Sequence, residues 1–265
     1  MRFHAPVLFL VAINGCGNPA ARAARPLVSN EWKTNPDPPP RRISYLVTVF
    51  QPVGSTHVGV GSGCIVHSCN QHGTYVLTAY HCTSRPGVVG VWVYDFGRLV
   101  PSADQEGLTC YRTERVYPLI EPRRDIMDDF WNGMKVFEQT WNRDFAVLRL
   151  KTRDLFHTVT LCTGSGGEPD PGTAVEVLAV PPENYPHSHA FTWSKTFPAE
   201  AWRQGHSGGP ILQEGSLIGL ISSSVGDTPL VHQAPTIATM RKTLEEAGLG
   251  FILDPGVCSR PPCPQ

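Results

Sequence analysis

Gly205-His206-Ser207-Gly208-Gly209-Pro210 is a glycine-rich turn with a serine at its centre, and it runs directly into the apolar pair Ile211-Leu212. Gly209–Gln213, Glu214-Gly215 and Ser216–Ser222 then read as strand, two-residue turn and strand, a β-hairpin. Upstream the same punctuation repeats. Short apolar runs with β-branched residues stand at Ile43–Phe50, Val58–Val66, Tyr75–Ala79, Val88–Tyr94, Phe145–Leu150 and Ala174–Val180, separated by Gly, Pro and Asn. Strands of that length and spacing predict an antiparallel barrel or sandwich. Residues 98–141, with charge clustered at Glu121–Asp129 and aromatics at Phe130, Trp131 and Phe137, read as extended loops with one or two strands. Downstream, Ile237, Met240, Leu244 and Ala247 recur at helical spacing. Thr236 is placed to cap the start of this helix and Gly248 to end it in a left-handed turn. His187-Ser188-His189 reads as a solvated loop.

Composition agrees with many turns and few helices. Glycine and proline number 25 each in 265 residues, about 19% of the chain against a background near 12%. Lys+Arg 22 against Asp+Glu 23 leaves a net charge of −1, with no electrostatic footprint for nucleic acid. Residues 1–16 carry Arg2 and an apolar run from Ala5 to Ile13, about half of what spans a bilayer, and read as an export signal. Ile13-Asn14-Gly15-Cys16 is similar to a lipoprotein box, so Cys16 is a candidate membrane tether, although Asn14 fits that slot poorly. Ala21-Arg22-Ala23 is a rival cleavage site that would release a soluble protein. Either way the expected location is outside the cytoplasm: periplasmic, surface-tethered or secreted. Residues 17–42, with Pro26, Pro36, Pro38, Pro39 and Pro40, read as a stalk, and 254–265 as an irregular tail. Eight cysteines suit an oxidising compartment, and removal or acylation of Cys16 would leave an odd seven.

Three short stretches carry chemistry. Thr78-Ala79-Tyr80-His81-Cys82 follows a strand, Asp144-Phe145-Ala146-Val147-Leu148 opens one, and the turn at Gly205–Pro210 enters another. Their contexts and order resemble the trypsin/chymotrypsin-like serine proteases, bacterial ones above all. Those enzymes carry Thr-Ala-x-His-Cys, Asp-hydrophobic-Ala-hydrophobic-Leu and Gly-x-Ser-Gly-Gly-Pro in this order. The resemblance spans about 43–253 and implies an all-β fold of two six-stranded antiparallel β-barrels, at about 43–152 and 153–235, with a C-terminal α-helix at about 236–247. Gly-x-Ser-x-Gly is also the spacing of an α/β-hydrolase nucleophile elbow, in which Asp and then His follow the serine. Only 58 residues follow Ser207 here, with Asp227 and His232 as the available pair, too little chain for that fold.

The resemblance implies a serine endopeptidase acting on a polypeptide substrate without a cofactor. A serine hydroxyl is a weak nucleophile that needs a base within about 2.6–3.2 Å. Ser207 would be the nucleophile, His81 the base, and Asp144 the group that orients the imidazole. Activity would fall below about pH 6–7, where an ordinary histidine becomes protonated. The Gly205 and Ser207 amides would form the oxyanion hole, with the missing Cβ at Gly205 permitting an unusual backbone. Ser222 matches the serine that supports the aspartate, and Ser222, Ser223 and Ser224 would pair with substrate backbone as an added strand. Ala201 lies where the primary pocket has its base and offers no carboxylate, while Ser224 would narrow the pocket wall. A small or medium apolar side chain is therefore expected before the scissile bond. His206 precedes the nucleophile where animal digestive members have Asp, and no Ile-Val-Gly-Gly start is present, so activation by cleavage is not expected. The resemblance also implies a disulfide from Cys64 or Cys69 to Cys82. A rival reading is a zinc site, since Cys64, His67, Cys69 and His72 have ligand-like spacing; the disulfide is the simpler account, and no metal is expected. A catalytically silent binding or sensing module of the same fold is the alternative to an enzyme.

Overall fold

The structure, a computed structural model, describes residues 44–53, 56–83, 89–94, 108–118, 144–161, 169–170, 172–180, 187–192, 205–222 and 235–254. The expected export signal, lipoprotein box with Cys16, stalk and tail lie outside them.

The first half is a closed barrel. Its strands are β1 (Leu46–Val53), β2 (Thr56–Cys69), β3 (Gly73–Thr78), β4 (Gly90–Tyr94), β5 (Leu108–Tyr117) and β6 (Ala146–Leu150), in the order β1-β2-β3-β6-β5-β4. All its pairs are antiparallel, and β1 with β4 closes the ring. Every one of these except β5 lies on a run of apolar residues visible in the sequence. β5 falls in the stretch read as loops with one or two strands. Its pattern is polar because Tyr111 and Thr113 face inward while Arg112 and Glu114 are exposed. The inward Thr113 hydroxyl donates to the Val89 carbonyl at 2.6 Å, so its burial leaves no unpaired donor. The long strand β2 serves both β1 and β3, and irregular register at Val49/Phe50 and at Ile65/His67 lets the sheet curl.

The second half holds β7 (Thr160–Leu161), β8 (Ala174–Ala179), β9 (His187–Thr192), β10 (Pro210–Gln213) and β11 (Ser216–Leu220). Within the expected second barrel the described residues form a five-stranded sheet in the order β7-β11-β10-β8-β9, with β7 parallel to β11. His187-Ser188-His189 belongs to β9, paired with β8, and is not a loop. Its sequence, His-Ser-His-Ala-Phe-Thr, lacks the apolar alternation that announces a half-buried strand, so pairing rather than local pattern makes it one. The β10–β11 hairpin turns at Glu214 and Gly215, both at positive φ (50° and 77°), as a two-residue turn of the primed type requires.

The helix α1 spans Ile237–Glu246. Thr236 caps it, its side chain accepting from the Thr239 N–H at 3.3 Å, and Gly248 ends it at φ 73°. Ile237, Met240 and Leu244 are buried in the common core with Leu217 and Leu220 of β11. Ala247, expected on the same face, is exposed. The helix has ended one residue earlier, and the Leu249 N–H turns back to the Leu244 carbonyl at 2.7 Å.

Replacing Thr236 by Ala should lower the unfolding free energy by about 0.5–2 kcal/mol, since it removes one capped N–H at the helix start. A denaturant titration with an unchanged slope would read this directly; an unchanged midpoint would contradict the capping role.

Candidate active site

Each motif stands where a strand ends or begins. β3 finishes at Thr78, and Tyr80–Cys82 forms a single 3-10 turn that carries His81 out of the barrel wall. Asp144 lies two residues before β6, the strand paired with β3, with Thr78 opposite Ala146. The pairing of those two strands is what brings His81 and Asp144 together from 63 residues apart. The His81 Nδ1–H donates to Asp144 Oδ2 at 2.8 Å, and the His81 backbone N–H donates to Oδ1 at 3.0 Å. The Ser222 hydroxyl, beyond the end of β11, donates to Oδ2 as well. Three donors thus hold one carboxylate, and with Nδ1 carrying the proton the lone pair of neutral His81 resides on Nε2.

Burial by itself would push the His81 imidazole down. The adjacent Asp144 carboxylate and Cys82, together with the hydrogen bonds to them, outweigh this and raise His81 well above the usual 6.5. Burial would likewise push Asp144 up, but the charge of His81 and the hydrogen bonds from His81 and Ser222 hold it below the ordinary carboxylate range. Both shifts have the same sense: they favour an imidazolium beside a carboxylate. Their side chains keep 20% and 15% of their surface in contact with solvent, so the pair is sheltered without being sealed.

Ser207 is anchored beside the turn that bears His81 through its backbone. Its carbonyl accepts from the Ser62 N–H of β2 at 2.7 Å and lies 3.8 Å from the Cys82 sulfur, the residue next to His81. Of residues 205–210 Ser207 alone is not buried. Gly205 has φ 93°, where an L side chain would be strained. Gly208 is more constrained still. At φ 83°, a Cβ there would lie 2.3 Å from the Ser62 carbonyl oxygen, 2.4 Å from the Thr78 hydroxyl and 2.6 Å from the Ala79 nitrogen. The turn is pinned on its other side by the Gly208 N–H to the Ile221 carbonyl (2.7 Å) and the Ile221 N–H to the Gly209 carbonyl (2.8 Å). Of the expected substrate-binding residues, Ser222 is therefore at the aspartate, whereas Ala201, Ser223 and Ser224 lie outside the described residues.

The expected disulfide from Cys64 or Cys69 to Cys82 does not form, whereas Cys110 is disulfide-bonded. Cys64, Cys69 and Cys82 all remain thiols. The β2 position facing Cys82 is Gly61, whose Cβ would fall 2.4 Å from the Cys82 sulfur, so the sulfur fills a gap left by a glycine instead of meeting a cysteine three residues further on. Cys64 is fully buried inside the barrel, which pushes its thiol pKa up and holds it as a neutral, core-filling side chain. Of the four would-be zinc ligands Cys64 is set apart in the barrel, while the Cys69 sulfur lies 3.4 Å from His67 Nε2 and accepts from the His72 N–H at 3.4 Å; among the described residues no group of three or more His, Cys, Asp or Glu is arranged to hold a metal. His67, His72 and Tyr75 instead pack around Phe251, with ring centroids 5.5, 4.8 and 5.6 Å from it. The contact that sequence reading missed is Ser62, a fully buried serine between two glycines of β2 with no local motif to announce it.

No protein-family model matches the chain, and no curated protein is significantly similar to it. Solved structures are similar in fold. The serine endoprotease from Yersinia pestis superposes with a TM-score of 0.52 at 16% identity, over 82% of this chain and 66% of that one. The MamO protease domain from Magnetospirillum magneticum gives 0.46 at 16% identity, over 76% of this chain and 95% of that one. Deg5 gives 0.49 at 15%, over 75% and 86%. This chain therefore spans just under two thirds of the Yersinia endoprotease. The fold is that of the trypsin-like serine proteases: mostly β, with one closed six-stranded barrel and one α-helix among the described residues.

Changing Gly208 to Ala should displace the turn from β2 and abolish a cooperative thermal transition at the wild-type temperature, because backbone atoms, not flexible side-chain ends, occupy most of the space. Retention of the wild-type melting curve would show that the turn is looser than these contacts require.

Proposed function

We propose that the chain is a serine endopeptidase that hydrolyses peptide bonds through Ser207, His81 and Asp144 by way of an acyl-enzyme. The observation that supports this best is the carboxylate of Asp144 held by His81 and Ser222, with the partly exposed Ser207 beside the turn that bears His81. In this reading His81 Nε2 removes the proton of the Ser207 hydroxyl as its oxygen attacks the peptide carbonyl. Asp144 keeps the imidazole in the Nδ1–H tautomer and stabilises the imidazolium. The tetrahedral oxyanion is met by the Gly205 and Ser207 N–H groups. His81 then returns the proton to the leaving amine, and water repeats the sequence on the acyl-enzyme. Substrate backbone adds as a strand along Ser222–Ser224, and the pocket above Ala201 takes a small or medium apolar side chain. A second barrel completes the substrate cleft. No N-terminal cleavage is needed for activity, and the chain works outside the cytoplasm, released or held by Cys16.

A fluorophosphonate probe should label the purified protein on Ser207, and Ser207→Ala should abolish the label. Absence of labelling in correctly folded wild-type protein would instead mark a silent binding module.

The pH profile carries a second expectation. The general base works only when neutral, and the pKa of His81 is raised, so activity is lost as pH falls through a value above 6.5 rather than below it. The sequence alone suggested a fall below about 6–7; the carboxylate moves it upward. Asp144→Asn should shift the acidic limb of kcat/KM toward lower pH and reduce kcat by about 10⁴. A limb that does not move between the two proteins would contradict the pairing.

A further inference from the structure

Ser62 is fully buried in β2, and each of its three polar atoms has a partner outside that strand. Its N–H donates to the Ser207 carbonyl at 2.7 Å. Its hydroxyl lies 2.7 Å from the Gly205 carbonyl oxygen and accepts from the Val180 N–H at 2.8 Å; the Val180 carbonyl is 3.2 Å away. A hydroxyl has one proton, and the shorter contact directs it to Gly205. The Ser62 carbonyl accepts from the Thr78 hydroxyl at 2.6 Å. One residue of the first barrel thus grips both ends of the Gly205–Ser207 segment and, through Val180, the end of β8 in the second sheet.

We infer that Ser62 is a positioning residue for the oxyanion hole: its hydroxyl fixes the Gly205–His206 peptide while its N–H fixes the carbonyl of Ser207. This rests on the peptidase reading above. Two amides are useful as oxyanion donors only if they are aimed before the charge appears, and a glycine at positive φ has wide freedom to rotate the peptide on either side. With the Gly205 carbonyl held by Ser62, rotation of the Gly205–His206 peptide, which lies between the two donor amides, is closed off. Without the hydroxyl, the Gly205 carbonyl and the Val180 N–H lose a shared partner in a buried place, and the turn is free to seek others. The backbone bond from Ser62 remains, so the turn stays docked while its first peptide loosens. Ser62 touches neither substrate nor reacting atoms, so its effect falls on the transition state and not on substrate binding.

The test compares wild type, Ser62→Ala and Thr236→Ala on a fluorogenic peptide with alanine before the scissile bond and on a peptide boronate of the same sequence. The helix-cap variant is the control for lost stability at a distance. Ser62→Ala should lower kcat ten- to hundredfold with KM within twofold, and weaken boronate binding by the same factor as kcat/KM, while Thr236→Ala leaves all three values at wild type. Unchanged kcat in Ser62→Ala, or a loss carried wholly by KM, overturns the inference. If Ser62→Ala is not recovered folded, Ser62→Cys keeps the volume with a weaker donor, and kcat equal to wild type there overturns it equally. Wild-type protein that neither cleaves nor takes up the fluorophosphonate overturns the peptidase reading itself, and this role with it.

Discussion

A backbone contact between β2 and the turn at 205–208 is the constraint on which the site depends. The Ser62 N–H bonds the Ser207 carbonyl, and Gly208 lies so close to Ser62, Thr78 and Ala79 that a single added carbon has no place. His81 follows Thr78 by three residues. The end of β3 that launches the histidine is therefore also the surface against which the serine turn rests. A shift of that turn would move Ser207 relative to His81, and nothing in the imidazole–carboxylate pair could correct for it.

That pair is held by different means. Asp144 lies at the entrance to β6 and His81 just past the exit of β3, so the antiparallel ladder between these strands sets their separation. Within that frame the carboxylate is bonded twice by His81 and once by Ser222, the latter from the far sheet. Both halves of the molecule thus contribute to one charge cluster. Burial opposes ionisation of each member, and their proximity overrides it for both, so the imidazolium form of His81 is favoured beside the carboxylate.

The cysteines show how a family expectation yields to packing. A bridge to Cys82 needs a cysteine opposite it, and β2 places Gly61 there, with Cys64 three residues further along and turned into the barrel. A thiol of this kind acts as a small apolar side chain. Its protonated state follows from burial, since the charged form would be stranded without solvent.

The mostly β class, eight of the strands, the capped helix and the three short motifs were legible in the chain, because each is written locally: a β-branched run, a turn pair, a cap, a short motif beside a strand. What was not legible depends on partners distant in sequence. β5 reads as polar because Thr113 satisfies its hydroxyl on Val89, β9 is a strand only because β8 pairs with it, and Ser62 carries no signal until the turn from residue 205 onward is laid against it. Local chemistry therefore determined which groups the chain could use, whereas the register of β3 with β6 and the docking of the serine turn on β2 decided which of them meet. Hydrogen bonds and close contacts of a few ångströms cannot be read from residues separated by 63 to 143 positions until the chain has folded.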